Sequence, residues 1–181
     1  LNMVGDLATE FGVTPDGLTW TFTLRDARWS TGEPVTAADV AFTYQLLKDD
    51  GARFDLSFLD AITVADDHHL SLHLAQPRST FVGQLAEIPI VPKDHYGPDY
   101  SAHPIGSGPY RVVDHQDGQQ LLLEANPNWY GEPVQYRRLT FLFLKPDAAL
   151  AAARAGSVDV AYLPPAYADA GLDGMKVLSY P

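Results

Sequence analysis

The sequence predicts an α/β domain of the mixed α+β kind, a mixed sheet with flanking helices and hairpins. Three observations point there. Apolar and hydroxyl residues alternate strictly over residues 18–24. A capped helix pattern begins at Thr36. An apolar strand pattern, an Ala-rich helix pattern and a second strand pattern follow one another over residues 138–162.

In the first strand Leu18, Trp20, Phe22 and Leu24 alternate with Thr19, Thr21 and Thr23, giving one greasy and one hydroxyl face. Asp16-Gly17 signals a turn before it, and Ser30-Thr31-Gly32-Glu33-Pro34 a turn after it. Thr36 with Asp39 three residues on spells a capping box, and Val35 with Val40 a hydrophobic staple. Val40, Tyr44 and Leu47 form the apolar stripe of the helix, flanked by Phe42 and Leu46, and Gly51 ends it.

Residues 62–65 and 69–74 read as a hairpin around Asp66-Asp67-His68, with Leu70, Leu72 and Leu74 on one face. A short helix over residues 80–86 has Ser79 as its expected cap. Pro89 and Pro92 keep residues 88–93 extended or turned. Residues 95–109 are a Gly- and Pro-rich loop. A second hairpin, residues 110–113 with 119–125, turns at Asp117-Gly118. A strand over residues 138–144 leads to a helix capped by Asp147 and closed by Gly156. Residues 158–162 complete a candidate right-handed βαβ unit.

The chain has 181 residues, about one domain's worth. Apolar residues make up 46%, which excludes intrinsic disorder. Twelve Lys and Arg against 23 Asp and Glu leave a net charge of −11. Such a field repels a phosphate backbone and an anionic bilayer, so nucleic acid is not expected as a partner. The absence of cysteine removes disulfides, thiolate metal sites and cysteine nucleophiles. The N-terminal residues carry neither a basic region nor a signal core, which fits a cytosolic protein or one lacking its leader here.

Chemistry-bearing clusters are sparse. His69 and His73 share a strand face four residues apart, roughly 13 Å, too far to grip one metal ion directly. No metal and no cofactor is expected. Gly106-Ser107-Gly108 is neither a nucleophile elbow nor a dinucleotide loop, so it reads as backbone geometry. Asp49-Asp50 and Asp66-Asp67 sit in turns or at helix ends and read as solvated surface rather than an acid/base pair. No catalytic residue is expected.

A set of ordered motifs is more specific. Trp20-Thr21-Phe22-Thr23-Leu24-Arg25-Asp26 is followed by Trp29-Ser30-Thr31-Gly32-Glu33-Pro34-Val35-Thr36-Ala37-Ala38-Asp39-Val40. Then come Ile88-Pro89-Ile90-Val91-Pro92-Lys93, Pro104-Ile105-Gly106-Ser107-Gly108-Pro109-Tyr110, Asn126-Pro127-Asn128-Trp129-Tyr130 and Ala155-Gly156-Ser157-Val158-Asp159-Val160. Together they resemble the signature of family 5 extracellular solute-binding proteins, which serve ABC importers of dipeptides, oligopeptides and nickel. Ser107 stands where threonine is usual in that signature, and Trp129-Tyr130 inverts its aromatic pair.

The resemblance implies lobe I of a type II periplasmic-binding-protein-like fold. Residues 1–163 would form part of lobe I, residues 164–181 would begin a crossover, and lobe II would be absent. It implies capture of peptides or peptide-like solutes in an interlobe cleft, for delivery to an ABC transporter permease. It also implies an extracytoplasmic location, periplasmic or on the cell surface, with any lipid anchor outside this chain. Arg53, Phe54 and Phe58, after the helix, are the implied ligand contacts: a carboxylate partner and two side-chain walls. Gly106, Gly108, Pro109 and Tyr110 are the implied structural motif. Nickel-chelate binders of the family carry an arginine near the proline-flanked segment. Residues 87–92 have none, so peptides come before nickel chelates. Two other readings stay open: a regulatory sensor built on a solute-binding domain, and a carboxylate–histidine hydrolase. The hydrolase needs two titrating groups within hydrogen-bond reach in a pocket.

Overall fold

The computed structural model describes residues 4–50, 54–167, 174–176 and 178, the side chain of residue 50 excepted. Strands β1 (Ala8–Val13) and β2 (Thr19–Leu24) form a hairpin, and helix α1 (Ala37–Asp50) follows. Strands β3 (Leu59–Val64) and β4 (His69–Leu74) form a second hairpin. The four pair antiparallel in the order β1-β2-β4-β3. The register sets Trp20 opposite Leu72 and Phe22 opposite Leu70, aligning the greasy faces of the two central strands.

That alignment makes the core. Leu70, Leu72 and Leu74 are at most 3% exposed, and Val40 and Tyr44 of α1 are buried in the same cluster. Each such side chain contributes roughly 1.5–3 kcal/mol by leaving water. Helix α2 (Phe81–Leu85) drives Phe81 into this cluster, edge-on to Trp20 and Phe58 with ring centroids 5.7 and 5.8 Å away. A smaller cluster gathers Ala27, Trp29 and Val35.

The start of α1 differs from a reciprocal capping box. The Asp39 carboxylate accepts from the Thr36 N–H at 2.8 Å and from the Thr36 hydroxyl at 3.0 Å. The threonine therefore donates to the acid rather than capping as an acceptor. Asp39 also accepts from the Lys93 N–H at 2.9 Å, and the Thr43 hydroxyl accepts from the Val91 N–H at 3.0 Å. Both proline-flanked donors thus end on α1. Val35 and Val40 lie in different clusters, so they are not seen as a staple. Gly51, the expected helix stop, lies outside the described residues.

Strands β5 (Tyr110–Gln116), β6 (Gln120–Ala125) and β7 (Arg138–Leu142) form a three-stranded sheet in that order. Gly118 has a φ of 65°, while Asp117 keeps a negative φ, so the turn between β5 and β6 is not the type I′ turn that Asp-Gly favours. Helix α3 (Pro146–Arg154) follows, then a 3-10 turn at Pro165–Tyr167. By internal packing the chain divides into Leu1–His115 with Leu122–Leu139, and Gln116–Leu121 with Thr140–Pro181.

Four expectations need correction. β1 was not anticipated, because Glu10 and Gly12 interrupt its apolar pattern and a register shift lies between Ala8 and Glu10. α2 begins after Thr80 without a side-chain cap, so Ser79 does not cap it. α3 is preceded by Lys145 and opens on Pro146, which places Asp147 inside the first turn where its charge meets the helix dipole. Residues 158–162 pair with no strand among the described residues, so the βαβ unit does not form. An apolar alternation becomes a strand only where a neighbour takes its hydrogen bonds.

The helix end was legible. Gly156 has a φ of 65°, its N–H donates to Ala153 O, and the Ser157 N–H donates to Ala152 O. That is a Schellman closure, and glycine is the residue that adopts it without strain.

Candidate functional site

The segment after α1 carries the three implied ligand residues. Arg53 lies outside the described residues. Phe58 is 5% exposed and packs edge-on against Phe81, so its ring belongs to the buried core cluster. Phe54 is half-buried and packs against the same cluster from its rim. The fold brings up a cation that the sequence did not single out. The Arg78 guanidinium lies 4.0 Å from the Phe58 ring centroid, a stacked cation–π contact. Beside it, Asp55 accepts from the Ser57 hydroxyl at 2.6 Å and the Ser57 N–H at 3.0 Å. Those bonds, with a weaker Arg78 field, hold its carboxyl below the ordinary range. Arg78 thus stands over the buried Phe58 ring with Asp55 in its field. An Arg two residues after the Leu74–Gln76 strand exit gave no periodic signal.

The Gly-Ser-Gly-Pro-Tyr loop is a junction of motifs. Gly106 O accepts from the Ser30 N–H at 2.8 Å. Gly108 O accepts from the Asn126 amide at 2.8 Å, and Pro109 O accepts from the Asn126 N–H at 2.9 Å. The Tyr110 hydroxyl donates to Tyr136 O at 2.8 Å. The Asn128 amide donates to Trp29 O at 3.2 Å. Asn126 is 6% exposed, and its side-chain oxygen accepts from the Asn128 N–H, so this buried amide is used on both ends. Three motifs separated by up to about a hundred residues in sequence therefore meet at one hydrogen-bonded knot.

Aromatic and acidic groups extend the knot. Tyr130 donates to Asp6 Oδ1 at 2.9 Å and lies under the Arg25 guanidinium, 4.5 Å from the ring centroid. Burial, then the Asp6 contact, pushes its phenol up to about 12. The Trp129 ring rests against Gly131, where a Cβ would come within 2.5 Å of it. The loop's contacts are made by the carbonyls of Gly106, Gly108 and Pro109.

The histidines are distributed among separate partners. His73 Nδ1 lies 3.0 Å from the Thr19 hydroxyl, His69 Nδ1 2.8 Å from Asp66, and His95 Nε2 3.2 Å from Glu33. Among the described residues no three His, Asp or Glu side chains stand together as a metal-binding group. Among the described residues no helix is long and apolar enough to cross a membrane.

Comparison with known proteins places these features. Residues 2–179 match the family described as bacterial extracellular solute-binding proteins, family 5. A Brucella ovis protein named as an ABC transporter peptide-binding protein is 32% identical over 177 residues, covering 90% of this chain and 34% of its own. A protein of Escherichia coli named as the D,D-dipeptide-binding periplasmic protein DdpA is 31% identical over 172 residues, covering 87% and 33%. NikZ from Campylobacter jejuni, solved with Ni(L-His), superposes with a TM-score of 0.84 at 25% identity, covering 90% of this chain and 35% of that one. AgaA from A. tumefaciens, solved with agropinic acid, superposes at 0.83 with 26% identity, covering 91% and 36%. The chain spans about a third of the length of the curated relatives it matches. The type II periplasmic-binding-protein-like fold and the full run of motifs agree, and the chain belongs to the family 5 bacterial extracellular solute-binding proteins.

Proposed function

We propose that this chain is a lobe I segment of the solute-binding component of an ABC importer. It serves to capture peptides or peptide-like solutes outside the cytoplasm and to present them to the permease. Its role is binding without catalysis. The observation that carries the reading is the junction at Gly106, Gly108, Pro109 and Asn126, which joins the family's motifs into one support. That support holds the frame, and residues 51–59 are the segment proposed to contact the solute. Arg53 offers a guanidinium for a carboxylate and Phe54 an apolar wall, with Phe58 holding that wall from behind. Residues 164–181 lead toward the second lobe. A nickel chelate is the second choice of solute, favoured by the likeness to a structure solved with Ni(L-His).

Two-lobed binders gain affinity when a hinge closes on both sides of the ligand. One lobe alone keeps the entropic cost of capture and loses half of the contacts. The isolated chain is therefore expected to bind a mixed di- and oligopeptide pool more weakly than roughly millimolar, near −4 kcal/mol. A family-length protein containing this segment should bind the same pool at least a hundredfold tighter. Calorimetric titration of both checks this. Tight binding by the isolated chain would remove the two-lobe account, and binding of nickel chelates in place of peptides would move the reading to the second solute.

A further inference from the structure

We propose that Asp117-Gly118, in the turn between β5 and β6, is a self-modification site whose aspartate converts to isoaspartate through a succinimide. Asp16-Gly17, in the turn between β1 and β2, is the same dipeptide, and there the fold holds the aspartate form. Both glycines have a positive φ, 74° at Gly17 and 65° at Gly118. Asp50-Gly51 and Asp173-Gly174 also occur in the chain, each with one residue outside the described ones. The two fully described pairs differ in what occupies their reacting groups.

The conversion needs water and no other reagent. The glycine nitrogen attacks the aspartate Cγ, an N–Cγ bond forms, and the carboxyl loses its hydroxyl with the amide proton as one water. Water then opens the ring at either carbonyl. Opening at the side-chain carbonyl restores aspartate. Opening at the main-chain carbonyl leaves isoaspartate, with Cβ and Cγ now in the backbone. Glycine suits the step because no Cβ crowds its nitrogen.

At Asp16 both reacting groups are engaged. Its Oδ1 accepts from the Thr14 hydroxyl at 2.5 Å and from the Leu18 N–H at 3.0 Å. The Gly17 N–H donates to Thr14 O at 2.8 Å. Pro77 closes the space over Gly17, where a Cβ would come within 3.1 Å of it. The Thr14 bond, then the Leu18 bond, hold the Asp16 carboxyl below the ordinary range, so the neutral form that loses water is scarcer.

Asp117 and Gly118 are both exposed. Among the described residues neither the Asp117 carboxylate nor the Gly118 N–H has a hydrogen-bond partner. Nothing lies within 4 Å of a Cβ placed on Gly118. The turn is closed by its flanks, with the Gln119 N–H donating to Gln116 O at 2.9 Å. Attack at Asp117 therefore gives up none of the pair's own bonds, whereas attack at Asp16 gives up three. That difference corresponds to at least about tenfold in rate. The site is independent of which solute the cleft takes.

The test incubates the 181-residue chain at neutral pH in oxygen-18 water, folded and in guanidinium chloride. Each Asp-Gly peptide is then mapped by mass spectrometry with fragmentation that separates isoaspartate from aspartate, which keeps the Asp50 and Asp173 peptides apart. In the folded chain, isoaspartate carrying one oxygen-18 is expected at Asp117 at least about tenfold faster than at Asp16. In denaturant the two rates should converge. Thr14→Val, which removes the hydroxyl bonded to Asp16, should raise the Asp16 rate several-fold and leave the Asp117 rate unchanged. Equal rates in the folded chain would overturn the proposal, as would an absence of isoaspartate at Asp117. A gap that persists undiminished in denaturant would also overturn it, because the flanking sequence rather than the fold would then set the difference.

Discussion

β4 and the residues leading out of β7 are chemically alike, yet they end in opposite surroundings. Leu70, Leu72 and Leu74 are at most 3% exposed. Phe141, Leu142, Phe143 and Leu144 are 42–50% exposed, and Val160 and Tyr162 are 86% and 96% exposed. In the first packing unit an apolar strand meets α1, α2 and a matching strand. In the second, Ala153 alone is buried among the described residues. Apolar composition therefore specifies which residues seek cover; which ones find it depends on partners that a local pattern does not encode.

The largest expected effect tests that contrast. Phe81→Ala removes a ring that is 0% exposed and touches Trp20 and Phe58, and should cost about 3–5 kcal/mol. Phe143→Ala removes a ring of the same size that is half exposed, and should cost well under 1 kcal/mol, about 0.5 or less. Urea denaturation of both variants, read at constant m-value, checks the difference. Equal losses would show that the second unit has a core of its own.

A smaller effect sharpens the contrast within the first unit. Asp39 accepts from Thr36 twice and from Lys93 once, so Asp39→Ala leaves several donors without an acceptor. A loss of about 2 kcal/mol is expected. Thr36→Ala removes only one donor of the set and keeps the backbone bond, so it should cost about 0.5–1 kcal/mol. Thermal melts order the two. A Thr36→Ala loss equal to that of Asp39→Ala would restore threonine as the essential cap.

These contrasts also explain what the sequence disclosed. Period-2 apolar residues gave β2 and β4, and the stripe Val40, Tyr44, Leu47 gave α1, because local periodicity and burial agree there. β1 escaped because its residues are mostly exposed and its pairing shifts register. Residues 158–162 carried the strand pattern without a partner. At the candidate site, Gly106, Gly108, Pro109 and Tyr110 were legible as one motif, but their convergence on Ser30 and Asn126 is a long-range fact. Phe58 shows the limit from the other side. An aromatic residue after a helix suits a ligand wall or a core equally well, and its contact with Phe81 puts the ring in the core.

The smallest expected effect compares one tyrosine from each unit. Tyr130 and Tyr167 both donate to an aspartate, Asp6 at 2.9 Å and Asp147 at 2.6 Å, and both phenols are raised. The causes differ in order. Burial leads for Tyr130, which reaches about 12, whereas the Asp147 bond leads for Tyr167. Asp147→Asn should therefore return Tyr167 close to the ordinary phenol, about 10, while Asp6→Asn should leave Tyr130 distinctly raised. A raised phenol favours the neutral form in the fold. The Tyr130 contribution is thus complete below pH ~10 and is lost as pH climbs from there through the folded value of about 12. Tyrosinate absorbance of the single variants, with Tyr130→Phe and Tyr167→Phe to assign the signals, reads both transitions. If Asp6→Asn lowered Tyr130 all the way to the ordinary phenol, its environment would be as open as that of Tyr167, and the distinction between the closed and bare units would fail at this junction.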